Sequence, residues 1–309
     1  MNKEEFVQKI QDSLPDYLPE NRLGEIKVKC VTKNNGVVLT GISVTYVGGN
    51  LFPVIYLEPF FEQYKNGREF SNVMQEIAAI FKKHGDVLDE NAVDCSCLTD
   101  WNFVKSCVLP RLINVEKNEV FLKTHPHKLW NDLAIVYAFE VGETSEGKGH
   151  VVLTDRHMLN LGVGIDELHD AAMANLEKEE PELVSVVQII LSQFPPELRE
   201  MIRAGIEESS APLWVLSNKQ HFHGAAMVLS QKALDIVCSE FGEDFIIIPS
   251  SIHEVMILPC GASEMTLEDI LAMVKEVNGS TVSAGEVLSD NVYIHKQGVI
   301  REAINEMAA

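Results

Sequence analysis

Phe245-Ile246-Ile247-Ile248-Pro249-Ser250-Ser251-Ile252-His253-Glu254-Val255-Met256-Ile257-Leu258 is the stretch that decides the fold. Residues 245–248 and 252–258 are each strand-length and largely apolar, and Pro249-Ser250-Ser251 punctuates them. Two strands so closely joined read as a hairpin. On the second strand, Ser251, His253, Val255 and Ile257 share one face, and Ile252, Glu254, Met256 and Leu258 the other. Both faces are mostly apolar, so this strand is expected inside a sheet rather than at its edge.

The flanking sequence extends the pattern. Upstream, Ser230 is placed to cap a helix carrying Leu234, Val237, Cys238 and Phe241, stopped by Gly242. Residues 213–216 and 225–229 read as strands flanking a loop. Downstream, Thr266 opens a helix with Leu267, Ile270, Leu271, Val274 and Val277, ended by Asn278-Gly279. The middle of the chain, 155–208, reads as an acidic helical segment with apolar stripes Leu168/Ala171/Ala172/Leu176 and Leu183/Val184/Val187/Ile190/Leu191. Residues 133–139 are a continuous apolar run, as in a strand covered on both faces, with a loop over 142–149 and a return at 151–153. Residues 108–113 and 119–122 read as short strands.

At the start, Phe6, Val7, Ile10 and Leu14 lie at helical spacing before Pro15. Residues 26–31 alternate, Asn34-Asn35-Gly36 suits a tight turn, and 37–46 returns, with a third strand over 53–57. Phe70, Val73, Met74, Ile77, Ile80 and Phe81 then form a helical stripe with Gly85 at its C′ position. Hairpin-ordered strands beside separate helical blocks predict an α+β fold with mixed or antiparallel sheets. Two domains are expected, 1–125 and 126–309, the second holding the acidic helical segment.

Composition narrows the function classes. Of 309 residues, 46% are hydrophobic and 23% charged, as in a globular protein. Asp and Glu number 46 against 25 Lys and Arg, a net charge of −21. Such a field repels phosphate backbones, whose binding depends on Lys and Arg, so no nucleic-acid role is expected. A basic protein partner is compatible with it. The charged N-terminus has no apolar signal core, and no run approaches the ~18 apolar residues of a membrane helix, so a cytoplasmic protein is expected, without membrane association. The six cysteines are sparse and read as reduced thiols. Oligomeric state is not legible.

The strongest candidate chemistry lies in the opening stretch: Ser250 or Ser251 as nucleophile, His253 as general base, Glu254 as acid or ligand. Strand geometry weighs against it, since residues two apart are roughly 6.5 Å apart and a base must approach its nucleophile within about 3.2 Å. No Gly-x-Ser-x-Gly elbow surrounds either serine. Two His-x-His pairs, His125-Pro126-His127 and His221-Phe222-His223, would each face one side of an extended strand and hold a metal given a third ligand, which the sequence does not place beside them. Cys95-x-Cys97 with Cys107 lacks the spacing of a zinc or redox motif. No Gly-x-Gly-x-x-Gly, Walker loop or His-Glu-x-x-His occurs, and no cofactor is predicted.

Gly36-Val37-Val38-Leu39-Thr40-Gly41-Ile42, Ile55-Tyr56-Leu57-Glu58, Leu216-Ser217-Asn218-Lys219, Gly224-Ala225-Ala226, Leu288-Ser289-Asp290-Asn291-Val292-Tyr293 and above all Pro249-Ser250-Ser251-Ile252-His253-Glu254-Val255 resemble a family of uncharacterised bacterial proteins, a domain of unknown function. The resemblance covers most of the chain and implies a cytoplasmic α+β protein, without a reaction. Three functional expectations stand: a non-catalytic protein that binds another macromolecule, a hydrolase or metal-dependent enzyme using His253 and Glu254, or a small-ligand module between the two halves, which would need a closed apolar pocket.

Overall fold

The computed structural model describes residues 1–18, 23–46, 54–87, 98–144, 147–207 and 212–303. The chain forms two compact units, Met1–Asp94 and Cys95–Ala309. The fold is α+β with antiparallel sheets, as the periodicities predict. Among the described residues, no helix is long and apolar enough to cross a membrane.

In the first unit, α1 (Lys3–Ser13) starts at a reciprocal cap: the Asn2 side chain accepts from Glu5 N–H at 2.8 Å, and the Glu5 carboxylate from Asn2 N–H at 3.0 Å. β1 (Leu23–Thr32) and β2 (Val38–Tyr46) pair antiparallel across a turn in which Asn35 (φ 58°) and Gly36 (φ 69°) take left-handed conformations. β3 (Val54–Tyr56) adds to β2; Pro53, expected in that strand, lies outside the described residues. A helix not legible in the sequence, α2 (Glu58–Lys65), follows, and then α3 (Phe70–Val87). α3 runs through Gly85, because one glycine lowers helix propensity by only about 1 kcal/mol and leaves the hydrogen-bond ladder intact. Phe6 and Ile10 of α1, Ile42 and Val44 of β2, and Val73, Ile77 and Phe81 of α3 make the core.

The second unit begins with α4 (Trp101–Cys107), β4 (Leu109–Asn114) and α5 (Glu119–Leu122). Residues 109–125, expected in the first domain, belong here, because β4 pairs with a later strand over its whole length. Residues 119–122, expected as a strand, are one helical turn; four residues are too few for periodicity to separate the two. β5 (His127–Trp130), β6 (Leu133–Thr144) and β7 (Gly147–Val152) follow, and β6 is the strand that β4, β5 and β7 all pair with. The expected loop over 142–149 is largely strand, with residues 145 and 146 outside the described set.

Next come α6 (Asp155–Leu161), α7 (Ile165–Leu176), β8 (Pro181–Ser185), α8 (Val186–Ser192) and α9 (Pro196–Glu207). A strand thus interrupts the expected helical segment. Pro181 stops helix propagation, and β8 pairs with β9 (Trp214–Asn218) from Pro181 to Ser185. Residues 225–229, expected as a strand, sit in a 3-10 turn over Gly224–Leu229 that is buried from Gly224 to Val228, so no alternation marks them. α10 (Gln231–Phe241), β10 (Phe245–Ser251), β11 (Glu254–Pro259), α11 (Leu267–Ser280), β12 (Tyr293–Lys296) and β13 (Val299–Glu302) complete the unit. The six-stranded sheet runs β13-β12-β10-β11-β9-β8, which puts the opening hairpin at its centre. Tyr137 and Phe139 of β6 pack with Leu168 and Ala172 of α7, Ala226 and Met227 of the 3-10 turn, and Phe245 and Val255 of the hairpin in one buried cluster.

Candidate functional site

The hairpin turn lies later than the sequence suggests. Pro249, Ser250 and Ser251 finish β10, so Ile252 and His253 make the turn and the pairing register shifts between Pro249 and Ser251. His253 is therefore a turn residue, with 27% of its side chain exposed. Its N–H donates to the Ser251 hydroxyl at 3.0 Å, and its carbonyl accepts from the Ser217 hydroxyl at 2.8 Å. Its Nδ1 accepts from the His223 N–H at 3.2 Å, and its Nε2 lies 3.9 Å from a Glu286 carboxylate oxygen. Ser250 donates to Glu254 at 3.5 Å. Glu254 lines a separate cavity of about 350 Å³ with His221 and Glu182. The four candidates thus stay close in space, with neither serine hydroxyl on a ring nitrogen of His253.

The second His-x-His pair comes to His253 from the segment after β9. Asn218 at the end of β9 holds Phe222 at both main-chain groups: its amide nitrogen donates to the Phe222 carbonyl, and its oxygen accepts from the Phe222 N–H, both at 3.1 Å. That clamp forces His221 and His223 to φ 49° and 52°. Left-handed backbone at non-glycine residues is strained. In this conformation the pair is not extended, and its rings part: His221 meets Glu182 at 2.9 Å, while His223 turns inward against His253, with ring centres 5.5 Å apart. Gly224 makes the turn possible. A Cβ there would overlap the Ser217 hydroxyl and come within 2.6 Å of the Asn218 nitrogen and 2.7 Å of the His253 carbonyl oxygen.

Phe222 is the hub of this cluster. His150 of β7 stacks on its ring at 4.6 Å, and the Arg111 guanidinium of β4 lies 5.3 Å from its centre. Arg111, His150, Phe222 and His223 all line a cavity of about 400 Å³, together with Glu140, Asn175 and Asn218. Burial alone pulls Arg111 down to about 10, so it stays cationic at neutral pH. Burial, with Arg111, His253 and His150 adding to it, pulls His223 down to about 2, so its ring is neutral. The Nδ1 of that ring is buried without a hydrogen-bond partner. Sequence reasoning did not single out Arg111 or His150. The available signal was a lone arginine inside the apolar run 108–113.

The other candidates lie elsewhere. His125 and His127 line a third cavity with Asp155; their Nδ1 atoms lie 2.8 Å from the Phe121 carbonyl and 2.9 Å from the His125 carbonyl. Cys107 lines the 400 Å³ cavity, and Cys95 and Cys97 lie outside the described residues. Among the described residues, the group of three whose ligand-type atoms gather within 4.8 Å is Cys238, Glu243 and His295, which includes neither histidine pair. Burial, then the Glu243 and Asp235 charges, pushes the Cys238 thiol up. Asp132 collects a further network: its carboxylate accepts from Tyr293 at 2.5 Å, Ser289 at 2.6 Å and Asn291 at 3.0 Å. Burial first, and Asp132 after it, pushes the Tyr293 hydroxyl well above its ordinary range.

No curated protein and no solved structure matches the chain. Residues 3–297 match the Family of unknown function (DUF5688), and with nearly the whole length covered, the chain belongs to that family.

Proposed function

We propose that the second unit is a cytoplasmic small-ligand-binding module whose site is the cavity between β4, β6, β7 and the segment after β9. The observation that carries this reading is the convergence of Arg111, His150, Phe222 and His223 on one cavity of about 400 Å³. Small-molecule sites run roughly 300–1,000 Å³ and combine apolar walls with a few convergent polar groups. Leu109, Phe139, Leu176 and Met227 supply such walls here. Hydrolysis at His253 has less support, because the hydroxyls of Ser250 and Ser251 are directed to Glu254 and the main chain.

A metabolite collection screened by thermal shift, with hits confirmed by calorimetry, tests the proposal. Ser106 lines the cavity from an exposed position on α4, so Ser106→Trp fills part of the space without burying a new polar group. Hits should raise the wild-type Tm and lose affinity for the tryptophan variant. No hit on the wild type, or undiminished affinity for Ser106→Trp, would remove the reading.

A further inference from the structure

We infer that the ligand of this cavity is an anion: a small molecule with a single carboxylate or phosphate head, bound by Arg111 with His223 beside it, and an apolar body. The inference rests on the small-ligand reading of the same cavity and adds the chemical class.

Arg111 is the first support. Its guanidinium is a half-buried, partly desolvated cation, and burial is what lowers its pKa. The contact it makes is with the face of Phe222. A cation–π contact leaves five N–H donors in a planar fork unanswered. A half-buried guanidinium on a cavity wall is placed to meet an anionic ligand. Planar two-pronged recognition of carboxylate or phosphate is what a guanidinium supplies.

His223 is the second and independent support. Its Nδ1 is buried and without a partner, in a residue held at φ 52°. His223 itself lines the cavity, and strained backbone next to an unsatisfied polar atom is characteristic of ligand sites. A neutral ring at the wall adds no second positive charge, so Arg111 is the group that meets the anion.

The remaining charges set the ligand's limits. Glu140, Glu179 and Lys178 also line the cavity, and Lys178 donates to the Asn175 side chain at 2.8 Å. Two carboxylates on the wall disfavour a polyanion, so one anionic head is the fitting class. Phe139, Leu176, Ala226 and Met227 receive the apolar part.

Titration calorimetry on the full chain tests this with benzoate, phenyl phosphate and inorganic phosphate against uncharged benzamide. At least one anion should bind, and benzamide should not match it. Comparing benzoate with the two phosphates tells the carboxylate from the phosphate. Arg111→Gln should weaken binding about 10- to 100-fold, the loss of hydrogen bonds to a charged group, and Arg111→Lys should retain part of it. Benzamide binding as well as benzoate, or Arg111→Gln binding as well as wild type, overturns the anion class and leaves the small-ligand reading standing. Failure of all three anions while neutral metabolites bind does the same. Silence from every probe and every metabolite overturns both.

Discussion

His223 shows at the residue scale how far local reading reaches. Its folded ring is neutral down to about pH 2, whereas an unfolded histidine titrates near 6.5. Below pH 6.5 the unfolded chain therefore takes up a proton that the folded chain refuses. Stability from this group is fully present above 6.5 and declines as pH falls toward 2, by up to about 1.4 kcal/mol per pH unit. Urea midpoints between pH 7.5 and 5 should fall more steeply for wild type than for His223→Gln; equal slopes would refute the burial argument. His253 was legible as unusual, since it is a polar residue in an apolar strand pattern. Its place in the turn was not, because the register shift after Pro249 moves the hairpin by two residues. Arg111 and His150 come to Phe222 through sheet pairing and the Asn218 clamp, neither of which leaves a local trace.

Elements show the same division. α10 sits between its Ser230 cap and Gly242 as read, because cap and stripe agree there, whereas α11 starts at its Thr266 cap but runs through the expected Asn278-Gly279 stop to Ser280. Neither β8, whose five residues are all half-buried, nor the 3-10 turn over Gly224–Leu229, buried from Gly224 to Val228, alternates between buried and exposed residues, so periodicity marks neither. The start of α10 carries a contact that only the fold supplies. Glu177, just beyond α7, accepts from Gln231 N–H at 2.7 Å, Lys232 N–H at 3.1 Å and the Ser230 hydroxyl at 3.1 Å. Ser230 itself accepts from Ala233 N–H at 3.2 Å. A carboxylate on a helix N-terminus is favourable by charge as well as by hydrogen bonding. Glu177→Ala should lower unfolding free energy by about 1–2 kcal/mol in a denaturant titration. A change under a few tenths would mean that solvent replaces the contact.

Across the whole molecule, the two units differ in how their cores are assembled. The core of the first packs Phe6 and Ile10 of α1 with Val73, Ile77 and Phe81 of α3 around the β1–β2 hairpin. The second ties distant segments, and the network at Asp132 is one such tie: partners at Ser289, Asn291 and Tyr293 stand 157, 159 and 161 positions away. Contacts of such separation carry a large loop-closure entropy and form after local structure, which slows folding. That carboxylate then behaves as a latch fastened last. Asp132→Asn should leave the refolding rate nearly unchanged and speed unfolding several-fold in stopped-flow chevrons, as for any contact absent from the transition state. A slowed refolding arm would place the latch in the nucleus instead. The persistence of the second unit in time, as distinct from its equilibrium stability, is then governed by how often one acidic side chain lets go of the strand that carries Tyr293.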